Sequence, residues 1–351
     1  MMNIKKGLLL IALVLSTLTT HTNALAKDSF KVAWSHYTGW EPWAYADESG
    51  ILKKWADKYG IDIELTLIND YIESINLYTT GAYDACTMTN MDALTIPAVG
   101  GIDSTALIVG DFSNGNDGIV IKNGESVKDL KGREVRLVEL SVSHYMLARA
   151  LDMNGLSERD ITVVNTSDAD IAALFVSDPN GAVVTWNPPL IETRNAKDAT
   201  LVFDSSKIEG EIVDLMVVKT NADERFKKAL TGAWYETLSK IAGRGKTSEE
   251  ALSFMAENSG GTVAEFKSQL KTTAMFYSAS DAVDFTKSDD LKKTMDDVRN
   301  FSFDKGLYGA DAENADLVGI EYPDGTIAGD KNNVKLRFND TFMKLAADEK
   351  L

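Results

Sequence analysis

Cysteine is all but missing: Cys86 is the single one in 351 residues. No intramolecular disulfide can form, and a site built from several thiolates is excluded, so folding rests on the core alone. Histidine is scarce too, with 3 in the chain, and no two stand at the close spacing of a metal-ligand pair. Positive charge runs short: 36 lysines and arginines face 53 aspartates and glutamates, a formal net charge of −17. Such a chain repels phosphate backbones and anionic bilayers, so no nucleic-acid partner is expected. Glycine-rich phosphate fingerprints of the G-x-G-x-x-G or Walker type are absent, as are low-complexity tracts. Only one apolar stretch approaches membrane length, and it opens the chain.

That opening has three parts. Lys5 and Lys6 give a positive start, an apolar run follows from Leu8 to Leu18, and Ala24-Leu25-Ala26 supplies small residues three and one before a cleavage point. This is the pattern of a secretory signal peptide over residues 1–26, and its apolar run is short for a membrane span. Cys86 lies far from that point, so no lipid anchor is expected, and the mature chain begins near Lys27. Removing Lys5 and Lys6 leaves it still more acidic, and its length suits two domains better than one.

From Phe30 to about Ser205 apolar runs of strand length alternate with helix-like stretches. Strands are expected at Lys31–Trp34, Ile61–Leu67, Ala106–Val109, Gly118–Ile121, Val135–Val138, Ile161–Val164, Ala182–Thr185 and Leu201–Phe203, and helices at Pro42–Lys58, Tyr71–Thr80, Val142–Asn154 and Ala169–Val176. The alternation predicts an α/β fold with mainly parallel sheets flanked by helices. After a strand at Asp214–Val218 most segments read as helical, as if a tail packed back on an earlier lobe. Turn formers in Asp111–Gly118, and the stretch Lys207–Asp214, mark two crossovers. They divide the chain into one lobe of residues 27–112 plus 213–351 and another of 113–212. Two connections between two lobes make a hinge.

Several motifs carry a family resemblance. Gly81-Ala82-Tyr83-Asp84-Ala85 precedes a strand. Asp129-Leu130-Lys131-Gly132-Arg133 leads through a strand into Glu139-Leu140-Ser141-Val142-Ser143-His144-Tyr145. Later comes Ala182-Val183-Val184-Thr185-Trp186-Asn187-Pro188-Pro189. In this order they resemble the periplasmic binding proteins of nitrate-, sulfonate- and taurine-type ABC transporters. Ser35-His36-Tyr37-Thr38-Gly39-Trp40-Glu41-Pro42-Trp43 resembles, more narrowly, the branch associated with urea carboxylase systems. The resemblance implies a two-lobed type II-like binding fold with a two-crossover hinge, a monomer in the periplasm, a small-molecule ligand held between the lobes, permease and ATPase subunits as partners, and no catalysis. The narrower branch implies urea or guanidine.

Ligands of parallel α/β lobes sit beyond the carboxyl ends of strands. Five segments fall there: His36–Trp43, Asp70–Tyr71, Thr87–Asp92, Glu139–Tyr145 and Thr185–Pro188, with Asp84 and Asp214 at their edges. None contains lysine or arginine, which an anion site ordinarily uses, although helix N-termini alone can serve. They offer instead the carboxylates Asp84, Asp92, Glu139 and Asp214 and the flat faces of Trp40, Trp43, Tyr71 and Trp186. Carboxylates with aromatic faces suit a small planar cation. Guanidinium has only N–H donors and needs acceptors around its edge. Urea needs a donor to its oxygen as well, available from Thr87, Asn90, Asn187 or a backbone N–H. Thr89, Ser141 and His144 complete the candidate set. Plainer roles stand beside these: Trp43 and Trp55 as core, Asp84 bonded to neighbouring backbone, Asp92 and the serines as helix caps, Cys86 as a buried inert thiol. Zinc held by His36, His144 and two carboxylates is a lesser alternative, and no cofactor is expected. Related lobes also serve in pyrimidine synthesis, and sensing for chemotaxis would use the same cleft.

Overall fold

The computed structural model describes residues 28–310 and 312–351; the signal peptide assigned to residues 1–26 lies outside them. Four strands open the described chain: Asp28–Trp34 (β1), Ile61–Leu67 (β2), Ala85–Thr89 (β3) and Ser104–Ser113 (β4). The next five, Asp117–Lys122 (β5), Glu134–Leu137 (β6), Thr162–Asn165 (β7), Ala182–Trp186 (β8) and Ala199–Asp204 (β9), make a separate five-stranded sheet in the order β7-β6-β8-β5-β9. Val213–Lys219 (β10) then returns to the first sheet. Thr273–Met275 (β11), Gly319–Glu321 (β12), Ile327–Ala328 (β13) and Val334–Phe338 (β14) complete it as nine strands in the order β13-β12-β14-β4-β10-β3-β1-β2, with β11 also on β4.

Both sheets are mixed. β1 runs parallel to β2 and β3, and β6 runs parallel to β7 and β8, as strand–helix alternation predicts. The crossover strands do not: β10 is antiparallel to β3 and β4, and β5 is antiparallel to β8 and β9. A chain that leaves one sheet and comes back must reverse direction somewhere, and it does so in these strands. Their register sets up the site. Asp214 on β10 stands directly opposite Asp111 on β4 on one side and Thr89 on β3 on the other. In the smaller sheet Asp117 stands opposite Trp186.

β3 and β5 are buried along their whole length and β4 nearly so, and the centres of β4 and β5, Ala106–Val109 and Ile119–Ile121, are apolar without alternation. All neighbours of β4, namely β10, β11 and β14, come later in the chain. The helix expected over Pro42–Lys58 is two helices, Glu41–Glu48 and Ile51–Tyr59. Gly50 between them has φ 74°, a left-handed turn that an uninterrupted helix cannot contain. Helix Glu224–Ala242 crosses this pair so closely that a Cβ on Gly232 would lie 2.4 Å from the Trp55 ring. The C-terminal half holds β11 to β14 besides its helices. These strands of two to five residues at a sheet margin escape a reading based on apolar runs. Helix Asp289–Asp304 reaches across to the smaller sheet's helix Val142–Met153, where Tyr145 meets Phe301 edge-on at 5.0 Å. Among the described residues no helix is long and apolar enough to cross a membrane.

Candidate functional site

The loop after β1 folds back on itself: the Trp40 and Glu41 N–H groups both donate to the Tyr37 carbonyl. This turn brings Tyr37 and Trp40 over the carboxyl end of the larger sheet. Gly39 sits between them, and a Cβ there would lie 2.3 Å from Asp111 Oδ2 and 2.6 Å from the Tyr37 ring. Only glycine permits that approach. Asp70 caps helix Tyr71–Thr79, accepting the Glu73 N–H at 2.9 Å, and so fixes Tyr71 at the first helical position. From the smaller sheet come Asp117 at the start of β5, Trp186 at the end of β8 and Val142 at the start of its helix. Together with Thr89, Ile212 and Asp214 these residues line a small cavity that, as it stands, has room for about one water molecule. A ligand of several heavy atoms fits there only when the walls separate.

Its walls are aromatic and its charge is all of one sign. Tyr37, Trp40, Tyr71 and Trp186 form a chain of rings with successive centroids 5.1, 5.7 and 5.5 Å apart. Trp186 Nε1 donates to the His36 carbonyl at 3.2 Å, linking the smaller sheet to the loop after β1. Asp214 and Asp117 face the cavity at 2% exposure each, with Asp111 fully buried behind. Asp111 Oδ1 accepts the Tyr37 hydroxyl at 3.0 Å. The other oxygen of each aspartate, Oδ2, is buried with no hydrogen-bond partner. Among the described residues no lysine, arginine or histidine pairs with any of the three. Burial pushes Asp111 and Asp117 up to about 7 and Asp214 well above the usual carboxylate range, with negative neighbours adding to the rise at Asp111 and Asp214. The same burial, with the field of Asp111, raises the Tyr37 hydroxyl.

Asp92 stands one layer back. Its Oδ2 accepts the Tyr71 hydroxyl at 2.6 Å and the Thr89 hydroxyl at 2.8 Å, fixing two wall residues. Burial raises it to about 6, against the pull of those bonds and of the Val142 N–H it faces.

Of the residues singled out from sequence, the structure thus brings Trp40, Tyr71, Thr89, Trp186 and Asp214 to the cavity, with Asp92 behind. It does not bring the rest. Trp43 is core, stacked on Trp234 at 4.9 Å. Asp84 accepts the Lys31 N–H at 2.8 Å before β3 begins, a strand length of roughly 16 Å from Thr89. Glu139 is exposed beside the 45%-exposed Leu140. Ser141 caps its helix through the Ser143 N–H, donating its hydroxyl to the Val138 carbonyl. His144 accepts the Leu140 N–H at Nδ1 and holds Glu158 at 2.8 Å through Nε2. His36 is bonded to Glu41 at 2.7 Å. Among the described residues no group of three or more histidines, cysteines or carboxylates is placed to hold a metal ion. Cys86 is fully buried, its thiol pushed up to about 12 by desolvation.

Sequence reasoning held Tyr37 within a candidate segment without singling it out, and missed Asp111 and Asp117. Asp111 and Asp117 lie in the turn-rich stretch read as a crossover. A signal was available for Asp111, a carboxylate closing an apolar run, as Asp214 opens another.

Residues 51–228 match the family model described as "NMT1/THI5 like". Curated protein sequences yield no match. Among solved structures, the chain is similar to the alkanesulfonate-binding protein SsuA from Xanthomonas axonopodis pv. citri bound to MOPS, with a TM-score of 0.65 at 15% identity over 81% of this chain and 96% of that one. The periplasmic aliphatic sulphonate binding protein SsuA from Escherichia coli gives 0.62 at 16% identity over 80% and 89%. The periplasmic nitrate-binding protein NrtA from Synechocystis PCC 6803 gives 0.56 at 12% over 91% and 98%. The fold is therefore that of the two-domain periplasmic binding proteins.

Proposed function

The chain belongs to the NMT1/THI5-like family, and on that premise we propose that it is an extracytoplasmic solute-binding protein that captures a small planar nitrogenous cation, guanidinium foremost. The ligand sits between a lobe of residues 27–112 plus 213–351 and a lobe of 113–212, and is passed to ABC permease and ATPase subunits. The separation of the two sheets near residues 113 and 213 supports the division, and the relatives' role as periplasmic binding proteins supports the compartment and the partners. We read it as a carrier rather than an enzyme, since the structural relatives are described as binding proteins.

One observation carries the choice of ligand: three buried aspartates, each with an unpartnered oxygen, meet an aromatic cage with no basic side chain among their partners. The structural relatives are described as binding sulfonates and nitrate, but an anion placed here would meet like charge and no arginine fork. A guanidinium ion supplies the missing donors around its edge while its faces lie against Trp40, Tyr71 and Trp186. Urea is the second reading, favoured by Trp40 Nε1, a buried donor without a partner that points to an acceptor.

A thermal-shift panel on the mature chain with guanidinium chloride at low millimolar concentration, urea, nitrate and taurine tests this. A ligand at a hundred times its Kd stabilises the folded state by about 2.7 kcal/mol, a rise of several degrees in Tm. A rise with guanidinium and none with the anions is expected. A rise with nitrate or taurine alone would refute the cation reading.

A further inference from the structure

Asp111 and Asp214 are register partners on adjacent antiparallel strands. Directly opposed residues keep Cβ atoms about 5 Å apart, and like charges so placed repel. Each of the two keeps a buried Oδ2 with no hydrogen-bond partner, and two facing carboxylates bond to each other only when a proton lies between them. The titratable groups facing the pair are Tyr37 from the loop after β1, Asp117 from β5 and Tyr277 from the segment after β11. None is basic. Tyr37 donates to Asp111 and does not neutralise it.

We propose that the empty cleft holds a proton shared between Asp111 and Asp214, and that a cationic ligand enters by displacing it. The cleft then acts as a proton-for-cation exchanger whose grip is set by the pH outside the cell. The inference rests on reading the cleft as a cation site and adds what must leave when the cation arrives. The balance is simple: one positive charge goes in, one proton goes to solvent, and no covalent bond other than O–H changes. Burial supports it. It holds Asp111 up at about 7 and Asp214 well above the usual carboxylate range, and two facing carboxyl groups titrate as a unit. The three-aspartate cluster spans both crossovers, since Asp111 and Asp117 flank one and Asp214 closes the other. Asp111 and Asp214 thus carry the exchange on the strands that join the two sheets.

The test is calorimetric titration of the mature chain with guanidinium chloride at pH 7 in phosphate and in Tris, buffers of very different ionisation enthalpy. Release of about one proton per ligand makes the observed heats differ in proportion. Affinity should also fall about tenfold per pH unit once the pH drops below the pair's titration. Equal heats in both buffers overturn the inference even if guanidinium binds tightly. Asp214→Asn, nearly the same shape, should abolish the buffer dependence, and Glu139→Gln, exposed outside the cavity, should leave it in place. If guanidinium fails to bind, the ligand reading is what has failed. Carbon-13 NMR of the aspartate carboxyls in the ligand-free protein then decides the stored proton. A resonance titrating near pH 7 in the parent and lost in Asp214→Asn sustains it, and all aspartates titrating below pH 5 overturn it.

Discussion

Two sets of acidic side chains sit where the larger and smaller sheets meet, and they are treated in opposite ways. On the outer side Glu211 is held by Arg149 through two bonds of 2.9 Å and by the Tyr145 hydroxyl at 2.6 Å. Nearby, Glu158 meets His144 and Lys305 and is drawn down to about 2 by them, the bond from His144 foremost. On the inner side Asp111, Asp117 and Asp214 are more deeply buried, yet no cation reaches them, and burial drives them up. The chain plainly has the means to pair a carboxylate at this junction. Breaking a buried pair by removing one partner costs about 3–5 kcal/mol, so a fold seldom keeps unpaired charge unless something else supplies the partner. The outer set fastens the two halves, and the inner set is the one proposed to receive the ligand.

The sharpest way to break that contrast is to neutralise the inner set. Asp214→Asn should lower guanidinium affinity by roughly 30-fold to several-thousand-fold, the range of about 2–5 kcal/mol for losing one side of a buried charge pair, while the folded chain survives. A calorimetric Kd within threefold of the parent would remove Asp214 from the site. Next in size is Trp186→Ala, which takes away one aromatic face and the bond to the His36 carbonyl. About tenfold weaker binding is expected, from a cation–π contribution near 1–2 kcal/mol in a desolvated site.

The outer set should answer in stability rather than affinity. Arg149→Ala leaves Glu211 without its fork and should lower Tm by a few degrees, since the pair is only partly exposed, with guanidinium Kd little changed. The two sets should also respond oppositely to pH. Asp111 and Asp117 have folded values raised above their unfolded ones, so their contribution is full below about pH 4 and is lost as pH rises through about 7. Glu158 has a depressed folded value, so its contribution is present above its unfolded pKa and is lost as pH falls through about 2. Ligand-free melting at pH 5 and pH 8 should therefore differ less in Asp117→Asn than in the parent. The smallest effects belong to Asp84→Ala and Glu139→Ala, which should leave the Kd unchanged. Weakened binding in either would mean that the cleft extends beyond the cavity described.

The strand–helix alternation from Phe30 to Ser205 was legible because each buried strand is a run of apolar residues that no helix period explains. The short strands β11 to β13 were not, because each is fixed by its neighbours rather than by its own composition, whereas β14, Val334-Lys335-Leu336-Arg337-Phe338, carries the alternation of a half-buried strand and was passed over. Within the site, Trp40, Tyr71 and Trp186 could be found by placing aromatic residues at strand and helix ends. Asp84 and Glu139 look the same in sequence as Asp214, since a carboxylate at a strand end carries no sign of which way it faces. Asp117 was hidden for the converse reason: among Ser113, Asn114, Gly115 and Asn116 it reads as part of a solvated turn. In the folded chain that turn is tied down by the Ser205 hydroxyl, which accepts the Gly115 N–H at 2.7 Å, and Asp117 ends 2% exposed.

The lateness of every neighbour of β4 bears on how the molecule is made. The strand is complete at residue 113, and its first partner begins at residue 213. At about 5–20 residues per second, the intervening stretch takes on the order of 5–20 seconds to emerge. Throughout that interval Ala106-Leu107-Ile108-Val109 has both edges open and nothing to pair with, a template for sticking to other chains. The strand that later carries Asp111 is thus the part of the newborn chain that stays longest without its sheet partners.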